Sequence, residues 1–456
     1  EKPDSKPDYG HHLRMSMCLD GIERPYCLFV PNRKELGSAP LFVYLHGGVT
    51  RSEIREEPLA YAENAPFLSL CKERGWFHLT PFGQKGAAWW DRVGMTNIMR
   101  QITIVKSQYD IDDNRVYLGG FSDGGSAAFC LAMVKPSVFA SFIALNGHIG
   151  VGSLDGDLST FVQNMSQTPV YAVTTDKDSL YPTNVMAPTL DLAQRFGAKL
   201  TYRMLPGTHT FDYSTTEIPR ISRFMDCSVR NPIPSTIDWE TATSEYGRCH
   251  WLQILELAPF LKRKSWHKDA NICLVSDRIT IGFHEDSEFK GEGDKVKSLA
   301  KGHTVARQIG LREGDVIIAG GNMTIKSAKD LAAYKKTLKR GSPIELTVLR
   351  ENKPHTLRGT IPPPEYYYLF KRQRPSGRVK ARLQGNRFIL ETSCAAIVRL
   401  LLNSDQLEPG SRVEVYADDE RVYTGEAVID YGFLIRDFIQ RRDRKNIYYG
   451  FIDVKL

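Results

Sequence analysis

The stretch from Val116 to Met133, VYLGGFSDGGSAAFCLAM, leaves few folds open to this chain. It begins with an apolar run, Val116-Tyr117-Leu118, of a composition suited to a buried strand. It turns through Gly119-Gly120-Phe121-Ser122-Asp123-Gly124-Gly125 and runs on from Ser126 to Met133 as a good helix, closed by Pro136. A G-x-S-x-G turn between strand and helix holds its serine on a strained backbone, with the hydroxyl projecting above the sheet edge. Gly120 and Gly124 leave room where side chains would collide with the helix. The helix N-terminus points N–H groups and a positive dipole end at an oxyanion forming there. G-x-S-x-G alone also fits a glycine-rich strand–helix turn with an incidental serine, so the rest of the chain has to decide.

Upstream, Leu41 to Leu45 reads as a buried strand running into His46-Gly47-Gly48. Backbone N–H groups at Gly47 and Gly48, with that of Asp123 after the serine, are candidate oxyanion donors. Val49 to Pro66 is a charged insertion, expected as a loop and short helix at the mouth of the site. Trp76 to Pro81 reads as the next strand. Trp89 and Trp90, in a Gly/Ala loop beyond it, are expected with His46 to line a substrate pocket; core packing is the alternative for either tryptophan. Phe142 to His148 is a strand with a polar end. Pro169 to Thr175 is another, followed by Asp176-Lys177-Asp178, and either aspartate stands where a triad acid belongs. Leu200 to Leu205 is the last strand and delivers His209. Oxyanion loop, serine, acid and histidine thus follow one another, each at the carboxyl end of a strand. That is the chain order of the α/β-hydrolases.

The motifs LHGG (45–48), GFSDGG (120–125), TTDKDSLYP (174–182) and PGTH (206–209) resemble those of the esterase branch of that fold, near polyhydroxybutyrate-depolymerase-like and feruloyl or acetyl esterases. The resemblance covers residues 14 to 225. It implies Ser122 as nucleophile, His209 as base and Asp178 as triad acid, with Asp176 in reserve. It also implies hydrolysis of acyl or feruloyl esters, including polysaccharide-linked ones, without metal or cofactor. The Gly-Gly after the serine occurs also in prolyl-oligopeptidase-like enzymes, so peptide cleavage stays open. A binding scaffold that kept the fold without the chemistry is the third reading.

Four regions are expected: an α/β-hydrolase domain over 1–230, a β-rich linker over 231–278 that could belong to a later β-domain, a PDZ-like domain over 279–360 and an all-β sandwich over 361–456. Proline-rich seams at Asn231-Pro232-Ile233-Pro234 and Pro362-Pro363-Pro364 suggest the boundaries. Ile272 to Val275 and Ile279 to Phe283 read as a hairpin. Ala306 to Ile318, with its GL-x-x-GD, resembles the PDZ signature, which implies capture of a peptide C-terminus near Ile281, Gly282 and Phe283. The net charge of +7 over 456 residues does not argue for nucleic acid, and no stretch is long and apolar enough to span a membrane. The polar start reads as the mature end of an exported chain, so a secreted or periplasmic location is expected. Eight cysteines lack metal-site spacing. An Asp20-Gly21 two-residue turn would set Cys27 opposite Arg14.

Overall fold

The computed structural model describes residues 8–32, 37–276, 279–286, 288–300, 302–370, 372 and 374–456; the polar start over 1–7 lies outside them. The chain forms two compact units. The larger holds residues 1–272 and 369–456, the smaller residues 273–368.

Eight strands open the larger unit: β1 (Gly10–Met17), β2 (Glu23–Val30), β3 (Ala39–Leu45), β4 (Phe77–Pro81), β5 (Ile111–Phe121), β6 (Ser141–Leu145), β7 (Val170–Thr175) and β8 (Leu200–Leu205). They make one sheet in the order β1-β2-β4-β3-β5-β6-β7-β8. β1 and β2 run antiparallel to their neighbours; β4, β3, β5, β6, β7 and β8 are parallel to one another. β3, β4, β6 and β7 are buried along their whole length, which is why they read as unbroken apolar runs: helices cover both faces of a parallel sheet. Seven α-helices accompany the sheet: α1 (Pro58–Glu63), α2 (Leu68–Arg74), α3 (Arg92–Gln108), α4 (Asp123–Val134), α5 (Val151–Leu154), α6 (Thr183–Arg195) and α7 (Ser214–Asp226). Because the central strands are parallel, the loops after β3, β5, β7 and β8 all emerge at one edge of the sheet.

The β1–β2 register differs from expectation. Met17 pairs with Glu23 and Leu13 with Cys27, so the turn is longer than two residues, and Gly21 within it sits at φ +77°. A left-handed glycine closing a longer hairpin loop shifts every pair relative to the two-residue turn. All eight cysteines are free thiols.

Residues 231–272 are no linker. β9 (Thr236–Thr241), β10 (Arg248–Cys249) and β11 (Leu252–Leu257) join strands from the far end of the chain. The smaller unit intervenes with β12 (Cys273–Ser276), β13 (Phe283–Glu285), β14 (Asp294–Leu299), α8 (Val305–Gln308), β15 (Val316–Gly320), β16 (Met323–Thr324), α9 (Ala328–Thr337), β17 (Pro343–Arg350), β18 (Lys353–Thr360) and β19 (Glu365–Tyr368). The chain then returns as β20 (Gly377–Gln384), β21 (Arg387–Ser393), β22 (Ala395–Asn403), β23 (Arg412–Ala417), β24 (Glu420–Glu426), α10 (Tyr431–Arg441) and β25 (Tyr448–Lys455). Sheets β10-β11-β22-β25 and β24-β23-β21-β20-β9 enclose a shared core that includes Trp239, Trp251, Phe388, Val398, Leu400 and Val415. This is a sandwich with one added helix.

Buried ions join the sandwich to the α/β sheet. Arg230 forks onto Asp443 at 2.5 and 2.9 Å, and Lys106 meets Asp113 at 2.9 Å with both side chains 1% exposed. Arg444 reaches Asp113 at 3.1 Å. Glu240, fully buried, takes hydrogen bonds or ion pairs from His267, Arg372, Ser376 and Gln163.

In the smaller unit the expected hairpin is not seen among the described residues, its turn at 277–278 lying outside them. β12 pairs with β19, closing the base of the unit and widening it beyond the expected 279–360. Its main sheet runs β13-β14-β15-β17-β18 over a core that includes Ile281, Leu311, Ile317, Leu331 and Leu346. The GL-x-x-GD stretch has a local reason for its pattern: Leu311 is core, and buried Asp315 pairs with Arg350 at 2.7 Å.

Candidate active site

At the end of β5 the chain reverses through Ser122, whose backbone sits at φ 59°, ψ −120°, and α4 starts at the next residue. A non-glycine residue held there costs about 1–3 kcal/mol, which the surroundings must offset. The Ser122 N–H donates to Leu145 O at 2.9 Å. The two flanking glycines are required by approach. A Cβ at Gly120 would stand 2.4 Å from Leu45 O, and one at Gly124 only 1.8 Å from it. β3 and the start of α4 therefore press together beneath the serine. The loop after β3 reaches the serine too: a Cβ at Gly47 would stand 2.9 Å from Ser122 Cβ.

His209, on the loop after β8, places Nε2 2.8 Å from Ser122 Oγ. Its Nδ1 lies 2.7 Å from Asp178 Oδ2, on the loop after β7. With Nδ1–H donating to the carboxylate, Nε2 is left to accept the serine proton. Over residues 10–226 the chain has the α/β-hydrolase fold.

No protein-family model matches the chain. Over 130 residues it is 28% identical to the bifunctional acetylxylan esterase/xylanase XynS20E of Neocallimastix patriciarum, covering 28% of this chain and 18% of that enzyme. Among solved structures it is similar to a thermostable esterase, at 21% identity and TM-score 0.39, over 48% of this chain and 63% of the other. It is similar also to an S-formylglutathione hydrolase of Agrobacterium tumefaciens, at 15% identity and TM-score 0.40, over 48% and 95%. A third is the acylaminoacyl peptidase of Pyrococcus horikoshii, at 14% identity and TM-score 0.38, over 49% and 43%. The chain thus spans less than a fifth of the curated relative it matches and under two thirds of the first of these structures.

Asp178 is supported by more residues than the motifs name. Asp178 Oδ1 accepts the N–H groups of Leu180 at 2.9 Å and Tyr181 at 3.0 Å; Oδ2 accepts Asn146 Nδ2 at 2.9 Å as well as His209. Burial pushes this carboxyl up, but the bonds from His209, Asn146 and the Tyr181 N–H outweigh it and hold the carboxyl below its ordinary value. Asn146 is itself fixed, donating to Thr175 Oγ1 at 2.7 Å and accepting Tyr213 OH at 2.5 Å. It directly follows β6 and sits at φ 42°. The polar end of that strand was the only signal of it in the sequence. Asp176 points elsewhere: its carboxylate accepts Gly207 N–H at 2.9 Å and braces the loop that carries His209.

Trp89, Trp90 and His46 are corrected from pocket lining to buried support, at 1–3% exposure. Trp89 Nε1–H donates to His46 O at 2.8 Å, directly before the Gly47-Gly48 turn. The His46 ring donates from Nδ1 to Gly47 O at 2.8 Å and accepts Gly83 N–H at Nε2, 3.2 Å away. Burial lowers its pKa to about 4, so the ring is neutral, as a ring that both donates and accepts must be. Gly48 itself sits at φ +74°. Asp123 is the first residue of α4, so its N–H has no acceptor within the helix and is free for an oxyanion.

Tyr181 is a further residue that the sequence did not mark. Its ring stands edge-on to His209 at 5.3 Å and its hydroxyl donates to Asp123 Oδ1 at 3.1 Å. Burial first, then the Asp123 charge, push its pKa up to about 12. Among the described residues no cluster of His, Cys, Asp and Glu could hold a metal.

In the smaller unit Ile281 is a core residue at 2% exposure that also borders the cavity lined by its two successors. Gly282 and Phe283 line a cavity of about 600 Å³ that also touches Ala328 and Lys335 of α9, beside the edge strand β13.

Proposed function

We propose that the hydrolase domain is a serine hydrolase of carboxylic esters. The observation that carries this is the unbroken line Ser122 Oγ, His209, Asp178 at 2.8 and 2.7 Å, on a strained elbow beside two candidate oxyanion donors. His209 takes the Ser122 proton as Oγ attacks the ester carbonyl; Asp178 holds the imidazole in the right tautomer and stabilises its cation. The oxyanion rests on N–H groups at the Gly47-Gly48 turn and at Asp123. His209 returns the proton to the leaving alcohol, then draws one from the water that hydrolyses the acyl-enzyme.

The acetylxylan esterase likeness favours short acyl groups on a polysaccharide as the substrate class. A polymeric glycan in turn puts the place of work outside the cytoplasm. A second reading keeps one supporting observation. An unpaired strand edge, β13, lies beside a cavity walled by a helix, which suits a peptide end added as a further strand. On that reading the smaller unit is PDZ-like and a peptide is presented to Ser122.

The test is turnover of aryl acetate, butyrate, ferulate and peptide-amide substrates by wild type and by Ser122→Ala. Ester hydrolysis that falls to background in the variant, a loss on the order of 10⁵-fold or more, is the expected result. Hydrolysis of peptide amides alone would move the assignment to a peptidase. No Ser122-dependent turnover of any of them would overturn it.

A further inference from the structure

Asp123 was singled out for its backbone N–H. Its side chain does something else. Asp123 Oδ2 accepts the N–H of Val49 at 2.9 Å, and Oδ1 accepts the hydroxyl of Tyr181 at 3.1 Å. Val49 is fully buried and directly follows Gly48 in the loop after β3. Tyr181 lies three residues past Asp178 in the loop after β7, and its own N–H holds the other oxygen of Asp178. One carboxylate on the first turn of α4 therefore spans three segments that are distant in the chain: the elbow, the oxyanion loop and the acid loop.

We infer that the Asp123 carboxylate is a positioning residue, a clamp that sets the distance between the oxyanion donors. This rests on the serine-hydrolase reading above. The physical argument has two parts. The loop at 46–49 is braced by Trp89 and His46, but on the Ser122 side the bond from Val49 N–H to Asp123 ties it to the elbow. A displacement of about 1 Å in such a donor costs on the order of 10²-fold in rate. Against this, a carboxylate next to a forming oxyanion is electrostatically unfavourable, so the charge itself does not recommend an aspartate here. What recommends it is geometry: two acceptor oxygens on a short, stiff side chain, aimed at two donors.

The two parts separate in the variants. Asp123→Ala cuts the link and should lower kcat about 10²-fold with KM for a small neutral ester nearly unchanged. Asp123→Asn keeps both contacts, since its amide oxygen accepts Val49 N–H and its NH₂ donates to the Tyr181 hydroxyl, and it removes the adverse charge. It should recover at least about tenfold of the alanine loss, with the pH profile of kcat unmoved. Tyr181→Phe frees one carboxylate oxygen only and should lose several-fold less than Asp123→Ala. Hydrogen exchange supplies a readout independent of turnover: the Val49 amide should exchange at least about tenfold faster in Asp123→Ala, and near the wild-type rate in Asp123→Asn. An alanine variant as active as wild type, or an asparagine variant as poor as alanine, overturns the clamp; the second result would mean that the carboxylate moves a proton or binds a cation. A wild type without Ser122-dependent turnover, but with Val49 exchange accelerated by Asp123→Ala, would sink the hydrolase reading and leave the clamp standing.

Discussion

The two acids after β7 differ in what surrounds them. Asp178 is buried and takes four hydrogen bonds; Asp176 is exposed and caps one N–H. An orienting acid must be fixed from several sides, because an imidazole held loosely spends little time in the reactive tautomer. Asp178→Asn should therefore lower kcat about 10⁴-fold. Asp176→Asn should cost less than about tenfold. Both are read from single-ester kinetics at fixed pH. Comparable losses would mean that the loop, rather than the acid, is what matters. Ser122, His209 and the pair of acids could be found from the sequence because strand ends and glycines flank them. The roles of Asn146 and Tyr213 could not: Asn146 reaches Asp178 from the end of another strand and Tyr213 holds Asn146 in turn, relations with no local pattern. The tryptophans misled for the converse reason. A Gly/Ala-rich loop with two adjacent indoles looks like a pocket wall, but Gly83 and Gly156 lie where Trp89 and Trp90 need space to pack inward.

At the scale of elements, the elbow is held by contact between β3 and α4, and that contact has no slack. Gly124→Ala would put a methyl group 1.8 Å from Leu45 O, a backbone atom in a central strand that cannot move without its neighbours. The expected result is loss of soluble folded protein or a destabilisation above about 4 kcal/mol, measured by urea unfolding. A Gly124→Ala variant of wild-type stability would show that the elbow can re-form another way. The strands around this elbow were legible, since buried parallel strands carry an unbroken apolar signal. α10 was not, and its chemistry explains why. It exposes Tyr431, Ile435 and Ile439 and buries Asp437 against Arg248 and Arg441. With Phe433 and Leu434 packed on the sandwich core, Ile435 and Ile439 outside and a carboxylate turned inward, the helix defeats any reading that assigns every apolar residue to the core. The β12 pairing was missed because its partner strand lies at the far end of the smaller unit.

Among its described residues the larger unit carries four histidines that folding keeps neutral. Burial, first among the causes, lowers His46, His78 and His148 to about 4 and His250 to about 3, from 6.5. The sign follows from the bound protons. Between these values and 6.5 the unfolded chain holds protons that the folded chain does not, so stability rises with pH across that window and falls on acidification. Each group removes on the order of 2 kcal/mol of stability between pH 7 and pH 5. Thermal unfolding should therefore shift several degrees downward over that interval, before the carboxylates begin to titrate. An unchanged Tm would place these rings in contact with water. Where the chain of the larger unit breaks off and resumes, Leu369 N–H donates to Ile272 O at 3.0 Å.

That interrupted chain path has a consequence during synthesis. The α/β sheet has all eight of its strands once residue 226 has emerged, and it can pair them as they arrive. The sandwich cannot, because β9 and β11 wait for β20 and β22 on the far side of the smaller unit. At about 5–20 residues per second, the roughly 120 residues between β11 and β20 leave β9 unpaired, and β11 paired with β10 alone, for about 6–24 s. For that interval the nascent chain carries a half-built sandwich, whose remaining strands are made only after the whole of the smaller unit.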